Sequence, residues 1–384
     1  MPINRNLTEE QVLLRNTVRK FAEEVIDPMA KELDDKEAFS YDLVARMAEL
    51  GYFGAVVPRS YGGSGLDYIS FIILVEELAR IDSSQGVTVA AHNSLGAAPI
   101  FIYGNEAQKS RYLPELTRGK LWGFGLTESD AGSDAGNTKT TAVRDGDYWV
   151  LNGSKIFITN ASTDITLGST VLAVTGSNDG RKEFTCFLVE NGTPGFTAKP
   201  MKDKMMWRAS NTSELYFEDC RVHKDNILGK QGDGFRQMMG TLDSGRLSIA
   251  AMGLGLAQGA FDYVLNYSKQ RKAFSQPVSS FQVTAFKLAD IEMGLELNRN
   301  YLYDVCRMLT EGRRITKESA VCKLSCSELA RLAANHCVQI MGGYGLMKEY
   351  RAERYYRDQK ILEIGEGTSE IQRLVISRQI GCYE

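Results

Sequence analysis

The stretch Thr141-Ala142-Val143-Arg144-Asp145-Gly146-Asp147-Tyr148-Trp149-Val150-Leu151-Asn152-Gly153 sets two turn dipeptides, Asp145-Gly146 and Asn152-Gly153, among residues that favour strands. Asp-Gly and Asn-Gly supply the positive φ that tight hairpins require. Asp179-Gly180 and Asn191-Gly192 repeat the signal between runs rich in Val, Ile, Thr, Phe and Tyr. Four such dipeptides between residues 140 and 195 predict an antiparallel meander or small barrel, not alternating strand and helix.

On either side the texture is helical. Leu7-Thr8-Glu9-Glu10-Gln11-Val12 reads as a helix start, with Thr8 as N-cap, Gln11 closing a capping box and Leu7 facing Val12 as a staple. Val18, Phe21, Ala22 and Val25 follow at helical spacing, then amphipathic segments at Tyr41 to Leu50, Tyr68 to Ile81 and Ala107 to Arg118. The loop Pro58 to Gly65 interrupts them. Near Gly234 helical periodicity returns, through Phe261, Val264, Leu265 and Tyr267 and again through Phe286, Leu288, Ile291 and Leu295. The expected class is therefore α+β. A helical domain over 1–120 leads into a β domain over 121–233 and a helical domain over 234–384, with no internal repeat.

The chain has 384 residues, 43 % hydrophobic and 24 % charged, with a formal net charge of −3. These values suit a globular protein and give no electrostatic reason to expect nucleic acid or an anionic membrane as partner. No run of about 18 apolar residues occurs, and the N-terminus lacks a basic region followed by an apolar core. A cytoplasmic location is the expectation. The seven cysteines are scattered without a C-x-x-C pair, and no histidine accompanies Cys322 and Cys326, so neither disulfides nor a metal are expected.

Known cofactor fingerprints are mostly missing. Gly253-Leu254-Gly255-Leu256-Ala257-Gln258-Gly259 has the wrong spacing for a dinucleotide loop and lies inside a helical stretch, where glycines serve close packing. No phosphate-binding G-x-x-x-x-G-K-[ST] and no G-x-S-x-G nucleophile elbow are present. Two loops remain. Phe124-Gly125-Leu126-Thr127-Glu128-Ser129-Asp130-Ala131-Gly132-Ser133-Asp134 can offer N–H groups and hydroxyls to a flavin edge or a phosphate, or is an Asp- and Ser-rich turn. Ile364-Gly365-Glu366-Gly367-Thr368-Ser369-Glu370-Ile371-Gln372 puts a carboxylate between two glycines before a helix that Thr368 or Ser369 can cap. That carboxylate is a candidate base, or a surface Glu in a Gly-rich turn.

Five motifs in order carry a resemblance: Leu126-Thr127-Glu128 with Ala131 to Asp134, Asn152 to Lys155 with Ile158-Thr159-Asn160, Gln270-Arg271 with Phe274, Gln339 to Gly345, and Glu366-Gly367-Thr368. Together they resemble the acyl-CoA dehydrogenase family over essentially the whole chain. The resemblance implies a helical N-terminal domain, a central antiparallel β domain and a C-terminal four-helix bundle, assembled as a homotetramer with one FAD per subunit. It also implies dehydrogenation of an acyl-CoA, with the α-proton going to Glu366 and the β-hydrogen leaving as hydride to flavin N5. An electron-transferring flavoprotein would accept the electrons.

By the same resemblance, Phe124, Leu126, Thr127 and Ser133 surround the isoalloxazine and phosphates, and Phe157, Ile158 and Thr159 take the other side of the flavin. Phe157 stands where a tryptophan is common. Arg271, Phe274, Gln282, Gln339, Gly342 and Gly343 would reach the FAD of a neighbouring subunit, and Thr368 and Glu370 approach FAD as well. Ser133, Asp243 and Arg246 match positions near CoA. In the isovaleryl enzyme the base lies on the helix of Asp243 and Arg246; here the corresponding position is Gly245. Gly365, in place of the Tyr common in short- and medium-chain relatives, predicts a wider pocket beside Glu366. A 2-methyl-branched or cyclohexanecarboxyl-type thioester is expected, with butyryl-CoA as the alternative and a non-catalytic binding member as a further one. The stretch Gly86 to Leu95 is expected to line the far end, and its lack of Arg or Lys disfavours a dicarboxylic acyl group.

Overall fold

The computed structural model describes residues 7–383. The N-terminal part consists of α1 (Glu9–Phe21), α2 (Asp27–Lys36), α3 (Tyr41–Glu49), α4 (Tyr68–Ile81), α5 (Ser83–Ala91), α6 (Ala98–Tyr103) and α7 (Glu106–Thr117). Thr8 caps α1 through the capping box expected of it, with Gln11 N–H donating to Thr8 Oγ1 at 3.2 Å and Thr8 N–H to Gln11 Oε1 at 3.1 Å.

The strands are β1 (Leu121–Gly125), β2 (Thr141–Asp145), β3 (Tyr148–Thr159), β4 (Thr166–Asn178), β5 (Arg181–Glu190), β6 (Phe196–Pro200) and β7 (Thr212–His223). They form one sheet in the order β1-β4-β2-β3-β7-β6, with β5 paired to β4. The pairs β2/β3, β4/β5, β3/β7 and β6/β7 are antiparallel, but β1 runs parallel to β4, so the sheet is not a pure meander. Turn dipeptides report only on neighbours in sequence, and this pairing joins strands about forty residues apart. Two of the four dipeptides make hairpins. Asp145-Gly146 joins β2 to β3, and Asp179-Gly180, both at positive φ, join β4 to β5. Asn152-Gly153 instead lies within β3 at a register shift, where Gly153 has φ 140° and packs against Thr140. Asn191-Gly192 ends β5 without pairing it to β6, which lies on β7.

The C-terminal part holds α8 (Gly234–Gln270), the short strands β8 (Lys272–Ala273) and β9 (Gln276–Pro277), α9 (Gln282–Thr310), α10 (Thr316–Met341), α11 (Ala352–Leu362) and α12 (Ser369–Gln379). The 37-residue α8 is the central element, flanked by α4 and α10. Its glycines let backbones touch: a Cβ at Gly255 would lie 2.2 Å from Glu76 O and one at Gly259 2.1 Å from Arg80 O, both on α4. Gly253 meets Cys326 O on α10 in the same way, at 2.8 Å. By length and composition α8 would suit a membrane, but it is mostly buried inside the protein.

The helices at the two ends of the chain share one apolar core, into which Phe71, Leu74 and Leu78 of α4 pack with Leu254 of α8 and Ala330 of α10. A satisfied polar network crosses it: Glu76 accepts from Arg299 at 3.0 Å and Tyr303 at 2.9 Å, and Arg299 also donates to Gln258 at 2.8 Å. Six cysteines are buried, four of them in this core, and Cys382 is exposed; no cluster suited to a metal occurs among the described residues.

Candidate active site

The loop between α11 and α12 folds back before the last helix begins. Ile364 and Gly365 N–H both donate to Ile361 O, Glu366 then turns to φ 53° and Gly367 to φ 96°. Thr368 accepts from Ile371 N–H at 3.3 Å and so caps α12. A left-handed Glu costs about 1 kcal/mol and persists only where neighbours enforce it. Here Gln372 Nε2 donates to Glu366 O at 3.2 Å and to Gly367 O at 2.9 Å, while Lys323 Nζ of α10 donates to Gly367 O at 2.8 Å.

The Glu366 side chain points at α8, where Gly245 leaves room for it. A Cβ on Gly245 would stand 2.5 Å from Glu366 Oε2 and 3.2 Å from Leu95 Cδ2. The residue as a whole keeps partial exposure, yet Oε2 is sealed from solvent and has no hydrogen-bond partner. Burial pushes the carboxyl up to about 7, against the opposing pull of Lys323 and Arg246. A carboxyl enclosed, unspent and poised near neutrality is equipped to accept a proton. Among the described residues the backbone N–H of Glu366 has no acceptor either.

Arg246 follows Gly245 on α8 and is buried, which lowers its affinity for a proton. Its Nη1 donates to Asp243 Oδ1 at 2.7 Å, and Asp243 Oδ2 accepts from Thr316 at 2.7 Å. Two of the three residues expected near CoA, Asp243 and Arg246, therefore bind each other first. Tyr68 Oη of α4 donates to Ser244 O at 3.1 Å, closing the same corner. Gly365 is half-buried and unhindered, since an added Cβ would meet only Ile361, at 3.4 to 3.8 Å. Of Gly86 to Leu95, Leu95 reaches this corner, whereas Val87, Val89 and Ala90 belong to the core and Asn93 bonds to Tyr52 O and Ala55 N–H.

A second group gathers on β1, the loop after it, and β3. Thr127 and Ser133 lie partly or fully open and Phe157, at φ 62°, is 62 % exposed. Of the residues expected around the flavin, Phe124 and Leu126 are buried in an apolar cluster that β1 and β4 share with α6, α7 and α8, and Ile158 is buried in the cluster inside the sheet. What they can offer a ligand is backbone. Lys155, fully buried, fixes the loop by donating to Leu126 O at 3.1 Å and to Glu128 Oε1 at 2.7 Å, while Glu128 also accepts from Lys139 and Thr140 N–H.

A third group stands in the C-terminal part. Arg271, Phe274, Gln282, Gln339, Gly342 and Gly343 are all exposed, Phe274 at 92 % and φ 50°. The Arg271 guanidinium lies 5.5 Å from the centre of the Tyr344 ring. No hydrogen bond, ion pair or ring contact among the described residues links this group to the other two. Thr368 serves as the cap of α12, and Glu370 is exposed beside it, its carboxyl lowered by its own N–H and by the Thr368 hydroxyl.

Sequence reasoning did not find Lys323 or Gln372. Lys323 was detectable as a lone cation in the apolar run Ala320-Val321-Cys322-Lys323-Leu324, whereas nothing in the sequence marks Gln372 as a donor to the loop.

The N-terminal, middle and C-terminal domain models of the acyl-CoA dehydrogenase family match residues 8–120, 123–220 and 232–381. The probable acyl-CoA dehydrogenase YngJ of Bacillus subtilis (strain 168) is 48 % identical over 380 residues, covering 98 % of this chain and 100 % of the relative. Butyryl-CoA dehydrogenase from Megasphaera elsdenii superposes with a TM-score of 0.94 at 41 % identity, over 98 % of this chain and 99 % of that one. A chain solved in work on the electron transferring flavoprotein of Acidaminococcus fermentans and flavin-based electron bifurcation superposes with a TM-score of 0.95, at 41 % identity over 99 % and 100 %. With its helical, β and helical parts in family order and a carboxyl seated against a gap in α8, the chain belongs to the acyl-CoA dehydrogenase family of oxidoreductases acting on CH–CH groups.

Proposed function

We propose that this chain is an FAD-dependent α,β-dehydrogenase of a short acyl-CoA thioester in which Glu366 removes the α-proton. The observation that carries the reading is Glu366 Oε2, sealed from solvent, unpartnered and facing the hollow at Gly245. A thioester α-proton is too weak an acid for a carboxylate in water, so the base must be desolvated and the enolate oxygen met by donors. The free N–H of Glu366 is one such donor, held in direction by the left-handed turn.

The residues of the β domain fit a flavin. The N–H groups of Thr127, Gly132 and Ser133 have no acceptor among the described residues, and the Phe157 ring is open for stacking. Bound there, the flavin supplies the acceptor for the β-hydrogen. Ser133 and the Asp243–Arg246 pair are the candidates for CoA, and an electron-transferring flavoprotein is the proposed partner for reoxidation. Assembly as a homotetramer is supported by α9, where Val283, Phe286, Met293 and Leu297 are 58 to 65 % exposed on one face about 80° wide.

The substrate reading rests on Gly365. Gly365 brings no side chain of its own beside the base and a Cβ there would touch only Ile361, which favours an α-branched or alicyclic acyl group over a straight chain. Butyryl-CoA is the second reading, favoured by the likeness to the Megasphaera elsdenii enzyme. A visible spectrum of the purified protein followed by turnover of butyryl-, isobutyryl-, 2-methylbutyryl-, isovaleryl-, cyclohexanecarboxyl- and glutaryl-CoA with an artificial acceptor tests all of this. Absence of bound flavin sinks the proposal, and a clear preference for butyryl- or glutaryl-CoA removes the branched or cyclic assignment.

A further inference from the structure

Lys323 sits on α10 with no part of it exposed, and its Nζ makes one hydrogen bond, to Gly367 O at 2.8 Å. No carboxylate lies within ion-pair distance of it among the described residues. A buried ammonium without a carboxylate partner is costly, and anchoring a carbonyl does not require one. Gln372 already donates to the same oxygen at 2.9 Å, and a neutral donor would serve that purpose as well. What lysine adds is charge, and the acceptor it pins belongs to the residue after the base.

The other charged or titratable groups around Glu366 are accounted for. Arg246 on α8 is bonded to Asp243, Tyr68 on α4 donates to Ser244 O, Glu363 at the end of α11 is paired with Arg331 and Lys360, and Glu370 on α12 is exposed. Lys323 is thus the cation of this corner that no carboxylate neutralises. We propose that Lys323 is a positioning residue for the base: its ammonium pins the Glu366–Gly367 backbone and supplies the fixed positive charge under which the Glu366 carboxyl ionises. Burial pulls Lys323 down to about 8 and pushes Glu366 up to about 7, so both are charged together in a window centred between those values.

This inference rests on Glu366 as the base, and the two stand or fall separately in one experiment. The holoenzymes of wild type, Lys323→Met, Lys323→Gln and Lys323→Arg are compared in the pH dependence of kcat/KM for butyryl-CoA with an artificial acceptor. The infrared carboxyl band of Glu366, assigned by its loss in Glu366→Gln, is titrated in parallel. Removing the charge should move the acid limb and the infrared titration upward by about one to two pH units in the Met and Gln variants, while Arg stays within about half a unit of wild type. Lys323→Gln keeps a donor and loses the charge, so a Gln variant that titrates as wild type does overturns the proposal. If Lys323→Met does not fold, Gln and Arg decide alone. If Glu366→Gln turns over near the wild-type rate, the base assignment falls, and the infrared titration still judges the charge.

Discussion

Replacing Glu366 by Gln should separate chemistry from stability with opposite signs. The amide keeps shape and polarity but cannot accept a proton, so flavin reduction by acyl-CoA should fall by several orders of magnitude. Stability should rise. Burial lifts the folded carboxyl from an ordinary 4.5 to about 7, so the folded chain holds a proton that the unfolded chain has already released. Wild-type stability is therefore undiminished by this group below about pH 4.5, declines as pH rises from there to 7, and stays at the lower level above it. Converted in full, that rise is about 3 kcal/mol. Because the residue is partly exposed, a cost of about 1 to 2 kcal/mol is the better expectation. The variant escapes this cost, so its thermal midpoint in the absence of acyl-CoA should approach the wild-type value near pH 4.5 and exceed it by about 1 to 3 °C at pH 8. Thermal melts of both proteins from pH 4.5 to 8.5 measure the difference. A difference that does not grow with pH, or a wild type more stable at pH 8, would refute the argument from desolvation.

Gly245→Ala should lower kcat about a hundredfold with a smaller effect on KM, because its Cβ would stand 2.5 Å from Oε2 and shift the base; steady-state kinetics with a near wild-type kcat would contradict this. Arg271→Ala should reduce flavin content and the oligomer together, as read by absorbance and gel filtration with and without added FAD, and an unchanged oligomer retaining full flavin would exclude a role across subunits. Gly365→Tyr, at a position with no positive φ and only Ile361 near its Cβ, should fold normally and shift any branched or cyclic preference towards straight chains. Ratios of kcat/KM across the acyl-CoA panel that do not move would show that other side chains define the pocket.

Local chemistry was legible where neighbours in sequence are neighbours in space. The capping box at Thr8, α4 from Tyr68 to Ile81, the Asp179-Gly180 hairpin and the Thr368 cap all follow from residues within a few positions of one another. The parallel pairing of β1 with β4 and the bulge at Gly153 depend on residues far apart, so turn dipeptides misjudged both. The candidate base was legible through Glu366 and its flanking glycines. Its environment was not, because Gly245, Lys323 and Leu95 come from three other segments and become a site only once α8 and α10 pack. The burial of Phe124 and Leu126 likewise depends on helices α6, α7 and α8 packing over them, contacts between segments far apart in sequence.

The length of α8 acts as a ruler. Gly234 at its start packs on the backbone of Thr185 and Cys186 in β5, Gly245 faces the base, and Arg271 caps its far end. From Gly245 to Arg271 is twenty-six positions, or about 39 Å of continuous helix. That rigid span sets the Arg271 guanidinium and the Glu366 carboxyl at the two ends of one rod, so within one chain they cannot act on the same reacting atoms.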